Sequence, residues 1–162
     1  MAFWNSNKSP KVQDEALEQV AQFFVALPED PTPGSDLIDA SKLDFSIESL
    51  GVVDEHLEVM RKKDLAGQQL ATFVLRCGAY VGEVIRRNSK DKKYHWLDFE
   101  EAAKLDKVVA SFGKSLASAA VLWDGKAGFT FPFNKVVKYL QNGSEDSVKF
   151  FAQVIISNPS KT

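Results

Sequence analysis

The sequence predicts an α+β fold: a helix-rich single domain with a central buried helix and a small, mainly antiparallel sheet of about three strands. Three observations predict it. Residues 65–88, LAGQQLATFVLRCGAYVGEVIRRN, keep helical apolar spacing over the longest such run without a proline. Asp124-Gly125, set between two apolar runs, is the strongest hairpin signal in the chain. The other helical patterns lie before and after the strand-like runs and do not alternate with them, which separates an α+β plan from βαβ units.

Taken in order, Phe3 and Trp4 precede a polar start, and Ser9-Pro10 marks a helix entry because proline suits the first helical position. The first helix is expected to run to about Leu27, with Val12, Ala16, Leu17, Val20, Phe23 and Phe24 forming its buried stripe. Three prolines and a glycine then make residues 28–42 an extended acidic connector. Its acids at 29, 30, 36 and 39 do not follow the alternating ligand spacing of a calcium loop. Leu43-Asp44-Phe45 reads as a short extended piece, after which Ser46 caps a second helix with Leu50, Val53, Leu57 and Met60 at three, four and three residues. His56, beside Glu55, is placed at the outer edge of that helix as an ordinary surface residue. Arg61, Lys62 and Lys63 suit its negative end, and Asp64 restarts the chain as the cap of the central helix.

In the central helix Leu70, Val74, Cys77, Val81 and Val84 recur at four, three, four and three residues, and Ala66, Phe73, Tyr80 and Ile85 widen the stripe. A helix so apolar around its girth packs on several sides. Gly78 and Gly82, one turn apart, each cost roughly 1 kcal/mol of helix propensity relative to alanine, so close contact with a neighbouring element is expected to offset them. A polar turn follows and delivers the aromatic strand at 94–97. Asp98 and Glu101 form a capping box for a helix ending at Gly113. Residues 116–123 and 127–131 are the hairpin strands, the second stopped by Pro132. Asn134 is expected to cap a short helix closed by Asn142-Gly143, Ser144 to begin the last helix, and the tail from Asn158 to fray. The organisation is one domain over 1–162: an N-terminal helix at 1–27, the Pro/Asp-rich connector at 28–42, the α+β body at 43–157 and a tail at 158–162.

A chain of 162 residues buries about 70% of its unfolded surface and needs no staple. The single cysteine, Cys77, excludes an intramolecular disulfide and lies on the apolar stripe. Two histidines do not supply a zinc site, so neither metal nor cofactor is expected. The first ten residues have no basic start followed by an apolar core, and no run approaches the roughly 20 apolar residues of a membrane span. A cytoplasmic setting without membrane contact is the expectation.

The net charge of −2 conceals a division. Residues 1–60 hold twelve Asp or Glu against three Lys, whereas 61–162 hold ten acids against seventeen bases. Either the two signs face each other within the globule or one of them meets a charged partner.

The segments LDFSIESL at 43–50, GAYVGEVIRR at 78–87, the Trp96 strand, the Asp124-Gly125 hairpin, FPFNKV at 131–136 and NGSEDSV at 142–148 together resemble a family of uncharacterised bacterial domains. In that family a Gly-Ala-Tyr-Val-Gly-Glu helix precedes an aromatic strand and a Phe-Pro-Phe-Asn-Lys-Val segment. The resemblance covers roughly residues 43–151 and leaves out the first 40. It implies a fold and a bacterial origin, and it carries no catalytic role.

Two surfaces are candidates for function. Arg76, Tyr80, Glu83 and Arg87 are spaced four, three and four residues apart and lie along one side of the central helix. With Arg86, and with Trp96 as an apolar wall, they suit an anionic ligand; as acid/base chemistry only Glu83 and His95 are near in sequence. The acids Asp36, Asp39, Glu55 and Glu58 suit a basic protein partner. The basic cluster Arg86, Arg87, Lys90, Lys92 and Lys93 reads as a solvated turn, and the overall composition argues against nucleic acid. No phosphate loop, nucleophile elbow or catalytic residue is legible. The expectation is a non-enzymatic interaction protein of immunity or regulatory type, with an anionic-ligand or enzymatic site on the polar helix edge as the alternative.

Overall fold

In the computed structural model, which describes residues 9–26 and 28–158, the organising element is helix α3 (Gly67–Asn88). Phe3, Trp4, Leu27 and most of the tail lie outside the described residues. Burial is continuous from Arg76 through Ile85, as the girdle of apolar residues requires. Helix α1 (Asp14–Val25) lies along α3, and α2 (Ser49–Arg61), α6 (Pro132–Asn142) and α7 (Val148–Ser157) pack against one another and, through α6 and α7, against α3. Phe73, Tyr80, Trp96 and Phe133 are essentially inaccessible. Each large aliphatic or aromatic side chain so buried contributes about 1.5–3 kcal/mol of transfer free energy.

The two helical glycines are where neighbouring elements come closest. A Cβ on Gly78 would meet the Phe133 ring at Cε1 (3.0 Å) and the Phe133 backbone at Cα (3.1 Å). A Cβ on Gly82 would run into the Trp96 indole and come within 3.3 Å of Pro132 Cγ. The propensity cost of the pair is thus offset by the approach of β1 and the start of α6.

Strands β1 (His95–Asp98), β2 (Ala120–Trp123) and β3 (Phe129–Thr130) form one antiparallel sheet in the order β1-β2-β3. Trp96 pairs with Leu122 and Leu97 with Val121. Because alternate residues point to opposite faces, Trp96 and Leu122 enter the main core around α3. Leu97 and Val121 enter a smaller core completed by Ala102 of α4 (Phe99–Leu105) and Val109 of α5 (Lys107–Phe112). The outer edge of β1 is covered by the chain entering α1: the Gln13 amide donates to the Trp96 carbonyl (2.8 Å) and the Trp96 amide to Asp14 Oδ1 (2.6 Å). An edge strand is thereby closed.

Several boundaries differ from the sequence expectation. Helix α1 starts at Asp14, four residues after Pro10, because the amides of Lys11 and Gln13 are bonded to Glu101 and Trp96; Val12 and Ala16 are accordingly exposed. The acidic connector contains two single 3-10 turns, Ser35–Leu37 and Ala40–Lys42. Residues 43–45 form no strand, since Phe45 adopts a φ of 63°. Asp64 does not cap α3; it sits in the left-handed region (φ 53°) and makes the turn itself. The single helix expected after Asp98 is broken at Asp106, whose carboxylate accepts from the amides of Val108 and Val109 and starts α5. Asp98 does cap α4 through the Glu101 amide (2.8 Å), but the Glu101 side chain bonds Lys11 instead of closing the box. Residues 116–118 are a 3-10 turn, and the strand proper begins at Ala120. Pro132 opens α6 at its first position, so Asn134 lies inside that helix. Ser147, not Ser144, caps α7.

Candidate functional site

The polar edge of α3 divides into three separate sets of contacts. At its start Arg76 is buried, donating through Nη1 to the Asp30 carbonyl (2.7 Å) and Thr32 Oγ1 (3.2 Å) and through Nη2 to Asp30 Oδ2 (2.7 Å). It fastens the acidic connector to the helix. One turn later Tyr80 is fully buried; its hydroxyl accepts from the Phe45 amide (2.9 Å) and shares a hydrogen bond with Ser49 Oγ (2.7 Å). Burial raises the phenol pKa, with these two bonds acting in the opposite sense.

The third set joins Glu83, Arg86, Arg87 and Trp96. Glu83 keeps 1% of its side-chain exposure, and its Oε2 accepts from Trp96 Nε1 (2.9 Å) and Arg86 Nη1 (2.8 Å), with Arg87 Nε 3.5 Å from Oε1. Arg86 also meets Glu18 (3.1 Å) and Asp14 (3.2 Å) and donates to the Tyr94 carbonyl (3.0 Å). Burial pulls the Arg86 pKa down, but Glu83, Glu18 and Asp14 outweigh it and the net direction is up. Arg87 lies over the Phe45 ring, its Cζ 3.7 Å from the centroid.

Beside this set is a cleft of about 300 Å³ whose walls include Arg86, Arg87, Lys92, Lys93 and His95, with Glu18 and Glu83 among them. Trp96 is not one of its walls: the indole is buried across Gly82 and faces the core. His95 reaches the cleft but is held by Asp14, with Nδ1 2.8 Å from Oδ2. Glu83 and His95 therefore border one hollow through different partners.

Of the four acids expected to meet a partner, Asp36, Asp39 and Glu55 are exposed. Among the described residues none of these three makes an ion pair. Asp39 accepts from the Ser41 amide (3.0 Å) and hydroxyl (2.6 Å), which hold its pKa below the usual carboxylate value. Glu58 differs, being half-buried and bridged to Arg61 at 2.7 Å. Leu37 and Val59, 46% and 42% exposed, stand next in sequence to Asp36 and Glu58.

His56 corrects the sequence reading most clearly. It is 4% exposed, set among Phe24 and Phe73 with ring centroids at 6.4 and 5.8 Å, and its Nδ1 is buried without a hydrogen-bond partner. Burial lowers its pKa, opposed in part by Asp36. The signal was available, since Val53, His56 and Met60 are three and four residues apart on the apolar stripe. Asp14 and Asp54 were also missed. Asp14 ties α1 to His95, Trp96 and Arg86, and Asp54 accepts from Ser147 Oγ (2.6 Å) and the Val148 amide (2.7 Å) to hold the start of α7.

Among the described residues no helix is long and apolar enough to cross a membrane, and no group of three His, Cys, Asp or Glu side chains is placed to hold a metal ion. No family model, curated protein or solved structure matches the chain.

Proposed function

We propose that the chain is a non-enzymatic protein-interaction module that docks a basic protein partner on the acidic surface bearing Asp36, Asp39, Glu55 and Glu58. The observation that carries this reading is how the acids of the first third are used. Asp14, Glu18 and Asp30 are each paired with Arg86 or Arg76, whereas Asp36, Asp39 and Glu55 remain exposed without ion pairs among the described residues. Exposed Leu37 and Val59 beside them add the apolar contact that a charged rim needs for affinity. An immunity or regulatory protein neutralising a basic target would use such a face, and the buried lone thiol of Cys77 is compatible with work in a reducing cytoplasm.

The test is affinity capture from the host lysate with the wild-type chain and with Asp36→Lys/Asp39→Lys/Glu55→Lys. A partner retained by the first and lost from the second supports the reading. Equal recovery contradicts it.

The cleft at the end of α3 favours a second reading, an anionic-ligand or enzymatic site in which Arg87, Lys92 and Lys93 supply charge. Its weakness is that Arg86 is already neutralised and two carboxylates share the walls. Thermal-shift screening with anionic metabolites tests it: a hit abolished by Arg87→Ala supports the site, and the lack of any hit removes it.

A further inference from the structure

The acidic connector runs over the buried histidine of α2. None of residues 33–42 is buried, and the segment is held between two buried ends, Thr32 and Leu43. Thr32 Oγ1 fixes the first end by donating to the Phe23 carbonyl (3.1 Å) and accepting from Arg76. Between the ends, the hydrogen bonds among the described residues are local: the Ser35 amide donates to the Thr32 carbonyl, Leu37 to Gly34, Lys42 to Asp39 and Leu43 to Ala40, and the Asp39 carboxylate accepts from Ser41. Ile38 packs on the core, and Gly34 lies directly over α2: a Cβ there would run into Met60 Sδ and stand 3.3 Å from His56 Cε1. A segment anchored at its ends and tied between them only by local turns can open while the rest of the fold stays closed.

Beneath this segment His56 meets Phe24 of α1 and Phe73 of α3, and its Nδ1 is buried without a partner. A protonated imidazole carries a full charge and donates from both nitrogens, so Nδ1 would become a buried donor with no acceptor. The groups around it do not supply one. On α3, Arg76 is engaged by Asp30 and Thr32, the Tyr80 hydroxyl by Phe45 and Ser49, and burial pushes the Cys77 thiol up so that it stays protonated. On α2 the neighbouring Glu55 is exposed, and on the connector Asp36 favours the cation through space without bonding to it.

We infer that residues 33–42 are a pH-sensitive lid over His56, closed on the neutral imidazole and opened when the ring is protonated. Opening admits water to the cation, which the closed state excludes. The open state therefore binds the proton more tightly, and acid shifts the balance toward it. With an ordinary histidine value of 6.5 in the open state and a lower one in the closed state, opening rises as the pH falls below 6.5. Asp36 and Asp39 are carried on the lid, so acid should also weaken docking on the acidic face. That consequence rests on the docking reading above, whereas the lid itself does not.

Amide hydrogen exchange of the full chain, followed by NMR at pH 7.5, 6.5 and 5.5 and corrected for intrinsic rates, reads the lid without any partner. The Ser35 and Leu37 amides are expected to be protected at pH 7.5, more weakly than those of α3, and to lose about five- to tenfold of that protection by pH 5.5. The amides of Val108 and Val109, on α5, should not change. His56→Gln, which cannot titrate, should abolish the loss, and His95→Gln and Asp36→Asn should keep it. The inference is overturned if Ser35 and Leu37 are unprotected at pH 7.5 or as strongly protected as α3, or if their protection is independent of pH. It is also overturned if the loss persists in His56→Gln or disappears in either of the other two variants. Should His56→Gln not fold, titration of the His56 ring proton in the wild type decides: a midpoint below 6.5 is expected, and one at or above 6.5 overturns the lid.

Discussion

The Glu83 carboxylate and the Trp96 indole share a hydrogen bond of 2.9 Å between two fully buried side chains, joining the central helix to the first strand at its most enclosed point. Two residues expected to line a ligand pocket are thus bound to each other inside the core. Removing one partner should be costly, because Trp96 Nε1 loses its only hydrogen-bond acceptor among the described residues and Arg86 loses one of its three acids. Glu83→Leu is expected to destabilise by about 3 kcal/mol in urea denaturation, and Glu83→Gln by less, since its amide oxygen can still accept from the indole.

The glycine contacts predict overpacking. In Gly78→Leu the new side chain meets the Phe133 backbone as well as its ring, so part of the obstruction cannot rotate away. A loss of roughly 1–3 kcal/mol is expected. Gly82→Ala meets the Trp96 indole and Pro132, both stiff, and should fall in the same range. A midpoint unchanged from wild type in either variant would contradict the close approach.

His56 predicts a pH dependence whose sign follows from its environment. The folded state holds its pKa below 6.5, so below that pH the unfolded chain takes up a proton that the folded chain resists. The contribution of His56 is complete above 6.5 and declines as the pH falls through that value toward the folded pKa. Asp146, held below 3.8 chiefly by its hydrogen bond from Lys135, loses its contribution only in more acid solution, which separates the two windows. Unfolding free energies at pH 7.5, 6.5 and 5.5 should fall for the wild type and stay flatter for His56→Leu. Parallel curves would refute the assignment.

Asp54 should behave as a cap shared between helices. Asp54→Ala removes the acceptor for Ser147 Oγ and the Val148 amide and is expected to cost about 1–2 kcal/mol. Hydrogen exchange should locate the loosening at the start of α7, with α1 unaffected.

The fold was legible wherever one face of an element carries a repeated signal. The α3 stripe, the glycine pair and the antiparallel hairpin are local patterns with few alternatives. Boundaries failed where a backbone amide finds a distant partner: α1 starts late because Gln13 bonds Trp96, a contact across 83 residues that no local rule contains. The candidate site was legible as a row of residues and not as their use. Spacing placed Arg76, Tyr80, Glu83 and Arg87 on one side of a helix, but only the docking of α1 and the acidic connector decides that most of that row is spent on internal ties. His56 was misplaced because a polar residue type outweighed its position on the stripe.

The acidic face is most directly tested by calorimetric titration of the captured partner against the wild type and Asp36→Lys/Asp39→Lys/Glu55→Lys at low and at physiological salt. The expected result is a wild-type affinity that falls as salt is added and a variant weakened by at least about tenfold at low salt. Equal affinities for the two proteins, with no salt dependence, would contradict the claim that these carboxylates form the docking surface.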